Sequence, residues 1–218
     1  MAYRVRHHLV LKTLGITAFM WVFFLAYFYL LRHPARPVQE MPLTALDRAL
    51  PFQPAAFVAY ASLWVYVGIP PGLMLSLREV LVYGVWMGSL CLVGLGCFYL
   101  WPTAVPLHVY AAGGAGQGGM ALLQGVDAAG NACPSLHVAT ATFTAAWVHR
   151  LMRLTGAPAP MVALNGLWLA LIVYSTLAIK QHVLLDALAG ALLAALFAWP
   201  SLRWNPPATR HDERRRDR

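Results

Sequence analysis

Residues 9–31 read LVLKTLGITAFMWVFFLAYFYLL, an apolar run of 23 residues that contains one lysine. As an α-helix this run would be roughly 35 Å long, which is enough to cross a bilayer. The basic residues before it resemble the start of a signal peptide. However, the run is longer than the apolar region of such a peptide, and no small-residue cleavage site follows it. We therefore expect a retained membrane anchor.

The composition of the whole chain agrees with this first run. Of its 218 residues, 60% are hydrophobic and 11% are charged, against about 45–50% and about 25% in soluble proteins. A soluble chain of this size could not bury so much apolar surface. The composition therefore disfavours a disordered chain and an ordinary cytosolic enzyme. The three cysteines have no spacing typical of a zinc site or a disulfide framework.

The distribution of apolar runs predicts an all-α, six-transmembrane-helix bundle. The six predicted spans cover about 9–31, 57–77, 80–101, 134–154, 161–179 and 182–202. We expect a single transmembrane domain over 1–202 and a basic tail over 203–218. Pro70 and Pro71 should kink the second span or end it early. A segment rich in Gly and Ala, 102–133, separates the third and fourth spans, and we expect part of it to form an outer loop or lid.

The basic residues predict an orientation in the membrane. Twelve of them fall at the two termini or in the 2–3 and 4–5 connections, whereas four fall on the other side. Cytoplasmic segments carry the excess of Lys and Arg in membrane proteins. We therefore expect an integral plasma-membrane protein with both termini cytoplasmic. Nucleic-acid binding is disfavoured, because no basic stripe with interleaved aromatic residues occurs.

Two polar stretches interrupt the apolar background, and the first is CPSLHVA at 133–139. Pro134 and Ser135 are residue types that favour the start of a helix. His137 lies one or two residues further in. The free N–H groups of a helix beginning here would form a natural anion site at the outer mouth of the bundle.

The second stretch is STLAIKQHVLLDALAG at 175–190, in which His182 and Asp186 share one helix face. An ionised carboxylate in this apolar run is costly without a partner. If Asp186 accepts a hydrogen bond from Nδ1 of His182, the other ring nitrogen is free to act as a nucleophile or base. If the fourth and sixth helices are neighbours, His137 and His182 could face each other, with Ser135 and Lys180 binding an anion between them. That arrangement suits phosphoryl transfer.

The pair P-S-x-H and H-x-x-x-D resembles the signature of the type 2 phosphatidic acid phosphatase superfamily. More narrowly, PSLH with KQHxLLDxLAG is similar to the inositolphosphotransferase branch, which contains the inositol phosphorylceramide synthases. The resemblance covers roughly residues 43–198. It implies a six-helix membrane fold with a His–His–Asp site at the outer face and a lipid-linked phosphate or phosphodiester as substrate.

The resemblance also implies roles for individual residues. His182 would be the nucleophile that forms a phosphohistidine, Asp186 would orient it, and His137 would be the general acid. Ser135, Ser175 and Lys180 would be the candidate substrate-binding residues. No metal or other cofactor is expected, because the sequence offers no carboxylate cluster to hold one.

The chain departs from the family pattern in its cationic residues. The family places a Lys and an Arg-Pro pair before P-S-x-H, whereas CFYLWPTAVPLH at 97–108 has neither Lys nor Arg. The third motif usually opens Ser-Arg and here opens Ser175–Thr176. Lys180, and more weakly His108, are candidate replacements. With fewer cationic residues, the site favours a phosphodiester substrate over a doubly charged monoester, and therefore transferase chemistry. Leu136, in place of the family's usual Gly, also favours transferase chemistry.

Less specific interpretations stay open at this point. His182 and Asp186 could be a structural pair between helices, and Lys180 could extend to the membrane interface. The chain could be a non-catalytic, lipid-binding family member that lost its cationic residues. A small transporter or channel subunit is a further alternative, although the ionisable residues within the spans cluster at one face.

Overall fold

The computed structural model describes residues 9–106 and 130–204 and is mostly helical. Its helices are α1 (Leu9–Arg32), α2 (Ala45–Ala49), α3 (Phe57–Ala61), α4 (Leu63–Tyr66), α5 (Ile69–Leu73), α6 (Leu77–Leu100), α7 (Leu136–Leu154), α8 (Ala159–Ala178) and α9 (Leu184–Arg203). A 3₁₀ turn over Pro54–Ala56 precedes α3. Two short strands, β1 (Gln39–Glu40) and β2 (Thr103–Ala104), pair in parallel. The predicted lid, His108 and most of the basic tail lie outside the described residues.

Four helices in the described part of the chain are long and apolar enough to cross a membrane: α1, α6, α8 and α9. They support an integral membrane protein. Helix α7 coincides with the predicted fourth span, but it is less apolar because it contains two histidines, two arginines and three threonines. The count of six spans therefore stays a prediction, as do the orientation in the membrane and the single domain over 1–202.

The predicted second span differs most from expectation, because it is a series of short helices, α3 to α5, rather than one kinked helix. Pro70 and Pro71 do not end a helix. They lie in the first turn of α5, where a missing backbone N–H has no cost. The chain leaves the helical conformation only at Met74, whose ψ of 136° is extended.

Helices α7 and α9 form the centre of the bundle. Phe143 and Trp147 of α7 are fully buried, and the indole N–H of Trp147 donates to the hydroxyl of Ser201 at 3.1 Å. At the other end of the pair, a Cβ added to Gly190 would overlap the carbonyl oxygen of Ser135. The two helices therefore touch backbone to backbone at the level where α7 begins.

This close approach makes Gly190→Ala a sharp test of the helix pair. The new methyl group would push α9 away from Ser135, and overpacking of this kind typically costs about 1–3 kcal/mol. We expect a lower melting temperature and a loss of most of the activity. Gly166→Ala in α8 is the matched control, because nothing lies within 4 Å of its Cβ position. Equal melting temperatures for the two variants would contradict the packing described here.

Hydrogen bonds between connecting segments gather four parts of the chain at one end of the bundle. Gln53 donates through its backbone N–H to the carbonyl of Ala178 at 2.9 Å, and Ser135 donates in the same way to Asp186 at 3.0 Å. Ala132 donates to Thr103 at 2.9 Å. We call this end, where α7 and α9 begin, the histidine end.

Candidate active site

Helix α7 begins where the sequence predicts. Ser135 is its N-cap, and its Oγ accepts a hydrogen bond from the N–H of Val138 at 3.2 Å. The residue is fully buried. Because the hydroxyl accepts in this bond, its own hydrogen remains available to donate.

His137 is held by a partner that the sequence did not suggest. Its Nε2 donates to the carbonyl oxygen of Tyr60 at 3.0 Å, and its ring stacks on the Tyr60 ring with centroids 3.8 Å apart. The carbonyl belongs to the last turn of α3. A carbonyl only accepts hydrogen bonds, so Nε2 carries a hydrogen. In the neutral ring, Nδ1 then has the free lone pair.

His182 and Asp186 are adjacent, but they do not share a helix face as predicted, because α9 begins at Leu184 and His182 lies in the connection before it. Nδ1 of His182 lies 3.6 Å from Oδ2 of Asp186, whose side chain is fully buried. This separation is within reach of an ion pair but too long for the hydrogen bond that the sequence led us to expect. Oδ2 accepts from the N–H of Val183 at 3.0 Å, at the start of α9, whereas no hydrogen bond joins the side chains of His182 and Asp186. Such bonds are often long without substrate and shorten in the reacting complex.

Lys180 ends α8 in a conformation that usually requires glycine. Its φ is 61°, and the N–H of Gln181 donates back to the carbonyl of Thr176 at 3.0 Å, as in a Schellman motif. Its ammonium donates to the carbonyls of Asp47 at 3.0 Å and Leu50 at 2.6 Å. Burial lowers the pKa of Lys180, and the Asp47 carboxylate partly opposes that shift. The lysine thus ties the α8–α9 connection to α2.

Asp47 also joins α2 to the start of α9, and the sequence analysis did not identify this residue. Its Oδ1 accepts from the N–H of Leu184 at 2.8 Å, and its Oδ2 accepts from the N–H and hydroxyl of Thr44 at 2.8 and 2.7 Å. The Thr44–Asp47 spacing is a helix capping signal that could have located α2. Asp47 and its partner Leu184 in α9 are 137 residues apart in the sequence, so no local pattern indicates their contact.

The role of Asp47 can be tested by Asp47→Ala. The change leaves the N–H of Leu184 and that of Thr44 without their acceptor, and a buried unsatisfied donor costs about 1–3 kcal/mol. We expect a lower melting temperature and reduced activity, because α9 begins directly after His182. Arg48→Ala, at the exposed next residue, is the control and should change neither quantity. An Asp47→Ala protein as stable as the control would show that α2 does not secure α9.

The structure does not bring Ser175 to the histidines. Its Oγ donates to the carbonyl of Ile172 at 2.6 Å within α8, and the side chain is fully buried. Thr176, at the position of the family's arginine, likewise donates to Val173 at 2.8 Å. The predicted contact of Ser175 with substrate therefore stays a prediction.

His137 and His182 line the same cavity, which has a volume of about 730 Å³. Gln181 lines it as well. Aromatic residues of α1 form much of its wall, and the cavity follows α1 from Leu11 to Phe28, roughly 26 Å of helix. The histidines thus share one end of a mainly apolar space whose length approaches the thickness of a bilayer core, about 30 Å. Lys180 and Ser175 do not line it.

Cys133 precedes the first motif and is not a plausible competing nucleophile. Burial raises the pKa of its thiol to about 11, with the Asp186 carboxylate adding to the shift. The thiol is therefore protonated at neutral pH, and only the thiolate attacks efficiently.

Comparison with known proteins gives a match, and it covers the segment that contains both histidines. Residues 104–210, just under half of the chain, match the family model of the PAP2 superfamily. The matched range contains His137, His182 and Asp186. No curated protein and no solved structure matches the chain. The family match supports the PAP2 superfamily, whose members are generally phosphatase-type enzymes, as the family of this chain.

Proposed function

We propose that this protein is an integral membrane phosphotransferase or phosphatase that acts on a lipid-linked phosphate through a phosphohistidine on His182. The observation that carries the proposal is the placement of both histidines at one end of a long apolar cavity. A lipid tail would occupy the aromatic-lined part, and the phosphate would meet the two imidazoles. Burial of the tail supplies affinity, since apolar surface is worth about 25 cal/mol per Å² removed from water.

The chemistry runs in two displacements. Nε2 of His182 attacks phosphorus in line, the P–N bond forms, and the P–O bond to the leaving group breaks. The departing oxygen takes a proton from His137. Because Nε2 of His137 keeps its hydrogen for Tyr60, His137 must enter this step as the imidazolium, and the proton that moves is the one on Nδ1. Water or an alcohol then attacks the phosphohistidine and returns a proton to His137. Asp186 stabilises the positive charge that develops on His182.

The acceptor and the charge of the substrate are the finer part of the proposal. We infer inositolphosphotransferase-like activity on a phosphodiester headgroup. Thr176 replaces the family's arginine, and the ammonium of Lys180 is engaged by the carbonyls of Asp47 and Leu50. A site with so little positive charge is better suited to one negative charge than to two.

An assay with a panel of lipids tests both the proposed enzyme class and the proposed substrate and acceptor. The full-length protein, in detergent and in liposomes, would be incubated with labelled lipid phosphomonoesters and phosphodiesters, including one with an inositol headgroup, each with and without an added lipid alcohol. We expect turnover of the inositol phosphodiester and transfer of the labelled inositol phosphate to the alcohol. Label released to water alone would make the protein a phosphatase. The absence of turnover on every lipid would contradict the proposed enzyme.

A non-catalytic, lipid-binding family member is the second candidate. The 3.6 Å separation of His182 and Asp186 and the missing cationic residues favour it. Base quenching during turnover separates the candidates, because a phosphohistidine is stable in base and is lost when the quenched protein is then acidified. Lipid binding without label on the protein or turnover would favour this second function.

A further inference from the structure

Gln181 presents an unusual buried side chain at the site. It lies between Lys180 and His182 in the α8–α9 connection, only 4% of it is exposed, and it lines the cavity together with both histidines. Within residues 9–106 and 130–204, neither its Nε2 nor its Oε1 has a hydrogen-bond partner. Buried side-chain amides almost always have such partners, and an unsatisfied one costs free energy.

In the part of the chain that the structure describes, no other group accounts for an amide at this position. The backbone of the connection is already satisfied, since the N–H groups of Gln181 and His182 both donate to the carbonyl of Thr176, at 3.0 and 3.1 Å. The wall of the cavity as a whole is mainly apolar. A leucine at 181 would avoid the cost of burying the amide, which points to a group that enters the cavity and forms hydrogen bonds with it.

We propose that Gln181 is a substrate-binding residue, with Nε2 donating to a non-bridging phosphoryl oxygen and Oε1 accepting from the hydroxyl of the attacking water or alcohol. This inference rests on the proposed function. An amide is one of the few side chains that offers a donor and an acceptor together. A phosphoryl group flanked by an incoming hydroxyl presents the complementary pair. A neutral donor also suits the single charge of a phosphodiester.

The decisive variants are Gln181→Leu and Gln181→Met, which keep the approximate volume and remove both polar atoms. Loss of a hydrogen bond to a charged group should lower kcat/KM for the best lipid substrate by about 10–100-fold. The melting temperature should be unchanged or higher, because an unsatisfied amide has gone. Gln181→Glu should lose more activity, since it places a carboxylate beside the phosphate. Gln39→Leu makes the same change at an exposed residue of the histidine end and is the control.

Two outcomes would overturn the inference. One is kcat/KM of the wild-type value in Gln181→Leu or Gln181→Met. The other is a loss of activity that is accompanied by a lower melting temperature in both variants and is proportional to it. That result would make Gln181 a packing residue.

A binding measurement keeps this inference separate from the proposed function. Inorganic phosphate should raise the melting temperature of the wild-type protein, and the shift should be largely lost in Gln181→Leu. An equal shift in the two proteins would overturn the role of Gln181, whatever the activity. Wild-type protein that turns over none of the lipids, yet shows a Gln181-dependent phosphate shift, would contradict the proposed function alone.

Discussion

His182→Ala is expected to reduce turnover of every lipid substrate to background. In the proposed mechanism Nε2 of His182 forms the bond to phosphorus, and the thiol of Cys133 does not replace it, because this thiol is protonated at neutral pH. The variant should also lose the acid-labile, base-stable label that the wild-type protein acquires during turnover. The measurement is the initial rate with labelled lipid, together with label retained on the protein after a base quench.

Controls for this result come from the chain itself. His33→Ala makes the same change at an exposed residue of the histidine end and should leave the rate unchanged. Phosphate-dependent thermal stabilisation of His182→Ala would show that the cavity still forms. Wild-type activity in His182→Ala would refute the covalent mechanism and favour direct attack by water or a purely lipid-binding role.

Sequence reasoning located local features of the site well. The run at 9–31 predicts a helix that the structure forms over Leu9–Arg32. Ser135 caps α7 as expected, and the His182–Asp186 spacing places the two side chains next to each other. These features depend on residues within one or two helical turns, where residue preference and periodicity act directly.

The features that the sequence did not reveal are non-local. Tyr60 contacts His137 across 77 residues, and Asp47 contacts Leu184 across 137. Each hydrogen bond uses a backbone atom at one side, the carbonyl of Tyr60 and the N–H of Leu184, and a backbone atom gives no residue-type signal. The division of the second span into α3, α4 and α5 is also non-local, because tertiary packing decides whether short helices join. Lys180 was expected to bind an anion or to extend to the membrane interface, whereas its ammonium binds the carbonyls of Asp47 and Leu50.

His137→Ala is expected to lower kcat/KM by about 10²–10⁴-fold, the usual contribution of a general acid, which corresponds to about 3–5 kcal/mol of barrier. The loss should depend on the leaving group. An alkoxide such as that of a diacylglycerol needs a proton as it departs, whereas p-nitrophenolate does not. We therefore expect a large defect on the lipid and a much smaller one on a p-nitrophenyl phosphodiester.

This comparison separates catalysis from positioning at the same residue. The His137 ring also stacks on Tyr60 and bonds its carbonyl, so its removal could loosen α3 against α7. A structural defect would lower activity on both substrates by the same factor and reduce the melting temperature. His149→Ala, at the exposed far end of α7, controls for loss of an imidazole from this helix. Equal defects on the two substrates would show that His137 is not the general acid, because only proton donation from Nδ1 depends on the leaving group. His137 would then be a residue that positions α3.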